Sequence, residues 1–426
     1  MTSFVARPAS RGVHGRVRVP GDKSISHRAL LLAARARGRS TISGLSGGED
    51  VLRTAAAITA FGAGTGASPA GGLLVDGGRL HEPDAVIDVG NSGTAIRLLA
   101  GWSAAIEGLT VLAGDASVAR RPMERVAEPL RAMGARVDGR AGGRYPPLAV
   151  RGGALHGIDY QLPVPSAQVK GAILLAGLAA EGATTVREAT PTRVHTEEML
   201  AACGADIEVA PGRVTVRPGE LRPLTLRVPG DPSQAAFWVV AACITPGSDL
   251  TVPDVYVGPG RAGFLDVLRR MHADVELLEE DASASTATIR ARFAPMAATQ
   301  VGGAEVPSLI DEIPALAVAA AYAEGTTTFA DAAELRLKES DRVEAVVAAL
   351  RAVGGSAEER PDGLVVHGAG GRPLAGGKVD PVGDHRVAMA LAVAALPAAG
   401  AVAVSGWEAV ATSYPRFEED YERCVS

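Results

Sequence analysis

The pentapeptide "RVPGD" occupies Arg18–Asp22 and returns at Arg227–Asp231, almost half a chain length later in a sequence of 426 residues. The match extends outward from both copies. "VRVPGDKSISHRALLLAA" from Val17 lies over "LRVPGDPSQAAFWVVAA" from Leu226. Each reads as a short strand, a Pro-Gly-Asp turn and an apolar helix opened by a serine, because Asp and Ser at a turn accept hydrogen bonds from the free N–H groups of a helix start. Four more segments share this grammar: "VIDVGNSGTAIRLLAG" from Val86, "YQLPVPSAQVKGAILLAG" from Tyr160, "EVPSLIDEIPALAVAAA" from Glu305 and "KVDPVGDHRVAMALAVAA" from Lys378. Six copies at a spacing of about 70 residues suit a compact supersecondary unit better than a solenoid repeat.

A second feature recurs with the same period. "LRAMGARV", "MLAACGADIEV", "VLRRMHADVEL" and "ALRAVGGSAEE", with "AITAFGAGTG" as a weaker first copy, each end an amphipathic segment in a small-residue break before an alternating run. Glycine after the last apolar helical position is a C-cap signal, and the alternation that follows is strand-like. Each unit is therefore expected to run strand, helix, strand, helix, strand, strand. Six units make two domains of three, with "RVPGD" marking equivalent places in the halves. The sixth copy has too little chain after it to finish a unit, so residues 1–19 are expected to supply its missing strands. The chain then passes between domains near Pro20 and near Pro229. The expected first domain is 1–20 plus 229–426, the second is 21–228, and the two crossovers act as hinges.

Bulk properties narrow the function. Hydrophobic residues make up 47% of the chain, ample for two or three domains of roughly 100–200 residues. The N-terminus "MTSFVARPAS" lacks an apolar targeting region, and runs such as "AILLAGLAA" fall far short of the ~18 residues a membrane span needs. A cytoplasmic protein with no membrane partner is expected. Cys203, Cys243 and Cys424 lie far apart without CxxC spacing, which argues for reduced, buried thiols and against a disulfide framework or zinc site. A formal charge of −6 leaves no basic footprint for nucleic acid, so any bound anion must be met by locally clustered Arg and Lys.

Such clusters sit at the turns. N–H groups and the helix dipole favour anions there, and the residues fit: Lys23, Ser24 and Arg28; Asn91, Ser92, Thr94 and Arg97; Ser166, Gln168 and Lys170; Asp311 and Glu312; Asp384, His385 and Arg386. Two loops, "ASVARRPMERV" and "ELRLKESDRVEAV", add Arg120 and Arg121, and Lys338, Glu339, Asp341 and Arg342. Simpler readings exist for each. The serines are also plain N-caps, the Lys338–Arg342 run is also a solvated helix start, and Asp311–Glu312 also complements a helix dipole. Recurrence favours function, since a purely structural repeat has no need of a different charged set in each copy.

At these residues the chain resembles the EPSP synthases of the enolpyruvyl transferase family. "GDKSISHRALLLAA", "GNSGTAIRLLAG", "RRPMERVAEPLRAMGA", "PVPSAQVKGAILLAGL", "LKESDR" and "GDHRVAMALAVAAL" follow the family motifs in order and spacing over essentially the whole chain. The resemblance implies an α/β fold, a two-domain inside-out α/β barrel with three βαβαββ units per domain in pseudo-threefold symmetry. It also implies transfer of the enolpyruvyl group of phosphoenolpyruvate to the 5-hydroxyl of shikimate 3-phosphate, with release of phosphate, on the route to aromatic amino acids. By motif, Lys23, Gly93, Arg121, Gln168, Arg342 and Arg386 would hold phosphoenolpyruvate. Lys23, Ser24, Arg28, Ser166, Ala167, Gln168, Arg193, Asp311 and Lys338 would hold shikimate 3-phosphate, with Arg28 on its carboxylate. Asp311 would be the base at the acceptor hydroxyl, kept ionised by the surrounding cations. Lys23 and Glu339, with His385 nearby, would move protons at the methylene carbon. The resemblance implies no metal, no organic cofactor and a monomer working on small molecules alone.

Departures from the family pattern accompany the match. "TRVHTEEM" stands where the family has "SRDHTERM": Thr192 replaces a serine, Arg193 is kept, Val194 loses a carboxylate and Glu198 reverses a charge. A lysine common near the C-terminus is Thr412 here, and Gly93 stands where some glyphosate-tolerant members have alanine, which implies a glyphosate-sensitive site. Three other readings remain: a paralogue enolpyruvylating another phosphorylated acceptor; the sister enzyme acting on UDP-N-acetylglucosamine, disfavoured because its cysteine position falls at about Ala116; and a non-catalytic binding module, disfavoured because Lys23, Asp311 and Arg386 are all present.

Overall fold

A computed structural model of the chain describes residues 2–69 and 71–425. It divides into two compact units, Met1–Pro20 with Pro229–Ser426, and Gly21–Val228. Met1 and Ser426, the outer ends of the first expected domain, lie outside the described residues.

The repeat is clearest from Ile87 to Gly152. Strand Ile87–Asp88, helix Gly93–Ala104, strand Gly108–Ala113, helix Glu124–Ala132 and strands Arg136–Gly139 and Tyr145–Gly152 follow in order. The first two strands pair in parallel, because the helix between them carries the chain back to the same end. The last strand pairs antiparallel with both its neighbours, giving the spatial order first, second, fourth, third. The same order and polarity recur from Asp159 to Val216 and from Gln300 to His367.

At the duplicated pentapeptide the unit is not contiguous, and here the local reading needs correction. Strand and helix flanking "RVPGD" do not belong to one repeat. Strand His14–Arg16 pairs in parallel with Asp249–Tyr256, which follows the second "RVPGD". Strand Thr225–Arg227 pairs in parallel with Gly38–Ser43, which follows the first. Each crossing segment thus gives its strand to the unit it leaves and its helix to the unit it enters. The expectation for the sixth repeat also changes. Only Ser3–Ala6 joins it, antiparallel to Val402–Ser405, so that sheet has three strands.

The core of each unit is helical. Lys23–Arg35, Gly93–Ala104 and Ala167–Gly177 in one unit, and Pro232–Ile244, Ile313–Tyr322 and His385–Ala394 in the other, are buried along nearly their whole length, and every residue of Pro232–Ile244 is buried. A helix apolar on all sides has no stable place but an interior. Their richness in Ala and Gly lets the backbones touch: a Cβ added at Gly101 would stand 2.1 Å from the Ala172 carbonyl oxygen. Among the described residues the sheets around this core stay open, with two to four strands each, so the inside-out arrangement consists of separate sheets around helices rather than one closed barrel. All three cysteines are buried, and burial pushes the Cys203 and Cys243 thiols up to about 11 and about 12. No helix of the described residues is long and apolar enough to cross a membrane.

Candidate active site

The sequence places its unusual polar residues at the starts of five of the six core helices, and the caps there determine which groups are left for chemistry. Asp22 accepts from the Ile25 N–H at 2.8 Å, Ser92 from Ala95 at 3.1 Å and Ser166 from Val169 at 3.3 Å. In the other unit Asp231 accepts from Ser233 at 2.8 Å and Asp384 from Arg386 at 2.9 Å. Ser24 is therefore not the cap of its helix; it stands in the first helical turn, behind Asp22. Ser92 and Ser166 are caps, as the simpler reading has them.

In Gly21–Val228, polar and charged side chains from three helix starts and the neighbouring loops are fixed by local partners. Lys23 Nζ lies 2.9 Å from Asp50 Oδ2. Arg28, only 3% exposed, donates from Nε to Thr196 Oγ1 at 2.7 Å, from Nη1 to the Ser24 carbonyl at 3.0 Å and from Nη2 to the Ala167 carbonyl at 3.3 Å. It thereby ties the first helix start to the third. Gln168 is held from both ends of its amide, accepting from Arg97 Nη1 at 2.8 Å and donating to Thr94 Oγ1 at 2.9 Å. Arg121 donates to Ser117 Oγ at 3.2 Å and to Asn91 Oδ1 at 3.4 Å. Gly93 is packed beneath it: a Cβ there would stand 2.1 Å from Arg121 Nη1 and 3.3 Å from Arg97 Nη1. Arg193 is partly exposed, beside the buried Thr192, whose hydroxyl donates to Glu188 at 2.7 Å. Inside the Lys23 helix His27 is fully buried, and its Nδ1 is hydrogen-bonded with Thr54 Oγ1 at 2.8 Å. Burial, reinforced by the Lys23 and Arg28 charges, pulls its imidazole down to about 3, so it is neutral.

The other unit carries a mixed cluster around Arg342, a guanidinium only 1% exposed. Its Nε lies 2.8 Å from Asp384 Oδ2 and its Nη1 3.2 Å from Asp311 Oδ1, while Nη2 contacts Glu339. Burial alone would depress this guanidinium, but the Asp384, Glu339 and Asp311 carboxylates outweigh it and raise its pKa. Lys338 Nζ reaches the same Asp311 oxygen at 3.2 Å, and Arg386 Nη1 donates to the Asp311 carbonyl at 3.0 Å. Asp311, Lys338, Glu339, Arg342 and Arg386 are thus one connected group, with His385 buried one residue away from Arg386.

Three residues singled out by position serve elsewhere. Lys170 is fully buried between Glu188 at 2.8 Å and Glu197 at 2.6 Å. Glu312 does not share the surroundings of Asp311; it is fully buried against Ser233 and Arg261, which also reaches Asp231 at 2.7 Å. Arg120 is exposed at the surface beside the buried Arg121. Reading the sequence misses Thr196, Asp50 and Arg261, which lie outside the helix starts and carry no signal until folding brings them in.

A family model described as "EPSP synthase (3-phosphoshikimate 1-carboxyvinyltransferase)" matches residues 8–421. The chain is 49% identical over 426 residues to a 3-phosphoshikimate 1-carboxyvinyltransferase of Synechococcus sp. (strain RCC307), covering 96% of this chain and 97% of that one. It is 50% identical to the protein of that name from Gloeobacter violaceus, covering 99% and 98%. Among solved structures, an EPSP synthase from Acinetobacter baumannii superposes with a TM-score of 0.87 at 39% identity over 100% of this chain and 98% of that one. The enolpyruvyl transferase NikO from Streptomyces tendae superposes with a TM-score of 0.79 at 20% identity, a likeness of fold.

Proposed function

The chain belongs to the EPSP synthase family, and from that premise we propose that it moves the 1-carboxyvinyl group of phosphoenolpyruvate onto the 5-hydroxyl of 3-phosphoshikimate, releasing phosphate. The observation that carries the assignment of roles is Asp311, a carboxylate held by Lys338 and Arg342 and bonded through its carbonyl to Arg386.

The reaction is an addition followed by an elimination. The acceptor oxygen bonds to C2 of phosphoenolpyruvate as its hydroxyl proton departs and C3 gains a proton, forming a tetrahedral ketal. Phosphate then leaves C2 while C3 returns a proton, restoring the vinyl group. In this proposal Asp311 accepts the hydroxyl proton, and Lys23, Glu339 and His385 are the residues that handle the proton at C3.

Two multiply charged anions repel each other, and their meeting depends on fixed cations that need no reorganisation. Lys23, Arg121, Arg342 and Arg386, with Gln168 and the Gly93 backbone, take phosphoenolpyruvate. Ser24, Ser166, Ala167, Gln168, Arg193 and Lys338 take 3-phosphoshikimate, with Arg28 on its carboxylate as a bidentate donor. The buried, reduced thiols suit the cytoplasm, where we place the protein as a monomer.

The test is phosphate release from phosphoenolpyruvate by the purified chain, with 3-phosphoshikimate, shikimate, UDP-N-acetylglucosamine or no acceptor. Turnover is expected with 3-phosphoshikimate alone and should be abolished in Lys23→Met. The altered "TRVHTEEM" segment favours a second reading, another phosphorylated acceptor; silence with 3-phosphoshikimate from folded protein would select it.

A further inference from the structure

Outside the residues assigned above, the unit comprising 2–20 and 229–425 has a cavity of about 320 Å³ lined by Arg16, Arg18, Pro253, Arg416, Asp420 and Arg423. Two elements build it. Arg16 and Arg18 flank the fully buried Val17, and side chains two apart on an extended chain share a face, so both guanidinium groups turn outward while Val17 turns into the core. On the other side, Arg416, Asp420 and Arg423 are spaced i, i+4, i+7 at and within the helix Phe417–Cys424, which puts them on one helical face.

The charges do not balance. Arg18 pairs with Asp254 at 3.3 Å and Arg423 with Asp420 at 2.5 Å. Among the described residues neither Arg16 nor Arg416 makes a side-chain hydrogen bond or ion pair. The remaining acids of the helix, Glu418, Glu419 and Glu422, are exposed and do not line the cavity. Four arginines against two carboxylates leave a net positive cavity on a chain whose formal charge is −6. Its floor is anchored. Asp420, only 2% exposed, accepts from Tyr414 Oη at 2.7 Å, and Tyr414 Oη accepts from Trp238 Nε1 at 3.2 Å, in the buried helix Pro232–Ile244.

We infer that this cavity is a binding site for a small polyanion of the phosphate-ester or polyphosphate class, separate from the residues assigned to the transfer reaction. Its volume is at the lower end of the 300–1,000 Å³ typical of small-molecule sites, enough for a phosphorylated head group. Planar guanidinium forks from two elements suit phosphate oxygens better than ammonium groups would, and the unpaired Arg16 and Arg416 supply the donors such an anion would neutralise.

The test is calorimetric titration of the full chain with inorganic pyrophosphate at low ionic strength, in the native protein and in Arg16→Ala/Arg416→Ala. The variant should lose one equivalent of pyrophosphate binding, or at least tenfold in affinity for that equivalent, while kcat and both KM values for carboxyvinyl transfer stay within twofold. Equal stoichiometry and affinity in the two proteins would overturn the inference. Should the double variant lose transfer as well, Arg16→Gln alone decides: it supports the site if pyrophosphate binding weakens at least threefold with transfer kept, and refutes it otherwise.

Discussion

Thr196→Val removes one oxygen and changes almost no volume, so its effect isolates a single hydrogen bond. Thr196 Oγ1 accepts from Arg28 Nε at 2.7 Å, and both side chains are buried. A hydrogen bond to a charged group contributes about 1.5–3 kcal/mol, and a buried donor left without its acceptor costs a comparable amount. Arg28 keeps two further anchors, the carbonyls of Ser24 and Ala167, so the guanidinium is loosened rather than released. We therefore expect about 1–2 kcal/mol of lost 3-phosphoshikimate binding, a rise in its KM of roughly 5- to 30-fold. The KM for phosphoenolpyruvate should hardly move, because Arg28 is assigned to the acceptor carboxylate. Phosphate release, measured against each substrate with the other saturating, gives both constants. Thermal melting should fall by only a few degrees, at about 2–4 °C per kcal/mol for a unit of this size. A KM for 3-phosphoshikimate within twofold of native, or a larger change in the phosphoenolpyruvate constant, would refute the assigned role of Arg28 and the positioning by Thr196.

His27 gives a stability test with a definite sign. Its folded value of about 3 lies below its ordinary 6.5, so between those pH values the unfolded chain holds a proton that the folded chain lacks. Stability therefore falls on acidification through that window, by about 1.4 kcal/mol per pH unit from this residue; urea melts from pH 7 to 5 should show a shallower loss in His27→Gln, and identical slopes would exclude a neutral buried imidazole. Gly93→Ala drives a methyl group to within 2.1 Å of the Arg121 guanidinium. Inhibition by glyphosate is expected in the native protein, while in the variant it should weaken at least tenfold as the phosphoenolpyruvate KM rises; an unchanged inhibition constant would show that Arg121 moves aside without consequence.

The helix starts were legible because their signals are local: "GDKS", "GNSGT", "PSAQ" and "GDHR" carry the cap, the turn and the charge within five residues. What the charges meet was not. Asp311 and Glu312 are neighbours in the chain, yet one joins Lys338 and Arg342 while the other is sealed against Arg261 and Ser233. Lys170 has the same sequence setting as Gln168, and only the arrival of Glu188 and Glu197 shows it to be a structural ion. The pairing partners of His14–Arg16 and Thr225–Arg227 are likewise decided more than 180 residues away in sequence, where short-range pattern has no hold.

The strand exchange at "RVPGD" has a consequence for how the chain is made. Residues 21–228 form an uninterrupted insert whose sheets, including Thr225–Arg227, are complete once Val228 has been synthesised. The host into which it is inserted has no such opportunity. Its first strand, Ser3–Ala6, pairs with Val402–Ser405, and His14–Arg16 needs Asp249–Tyr256. During synthesis the earliest segment therefore waits, with open edges, for nearly the last, while the guest domain folds between them. Genetically the order is reversed: the guest can be excised as one piece, whereas the host can be made alone only by splicing Pro20 to Pro229, two prolines that the hydrogen bond from Asp231 N–H to the Pro20 carbonyl already holds close together.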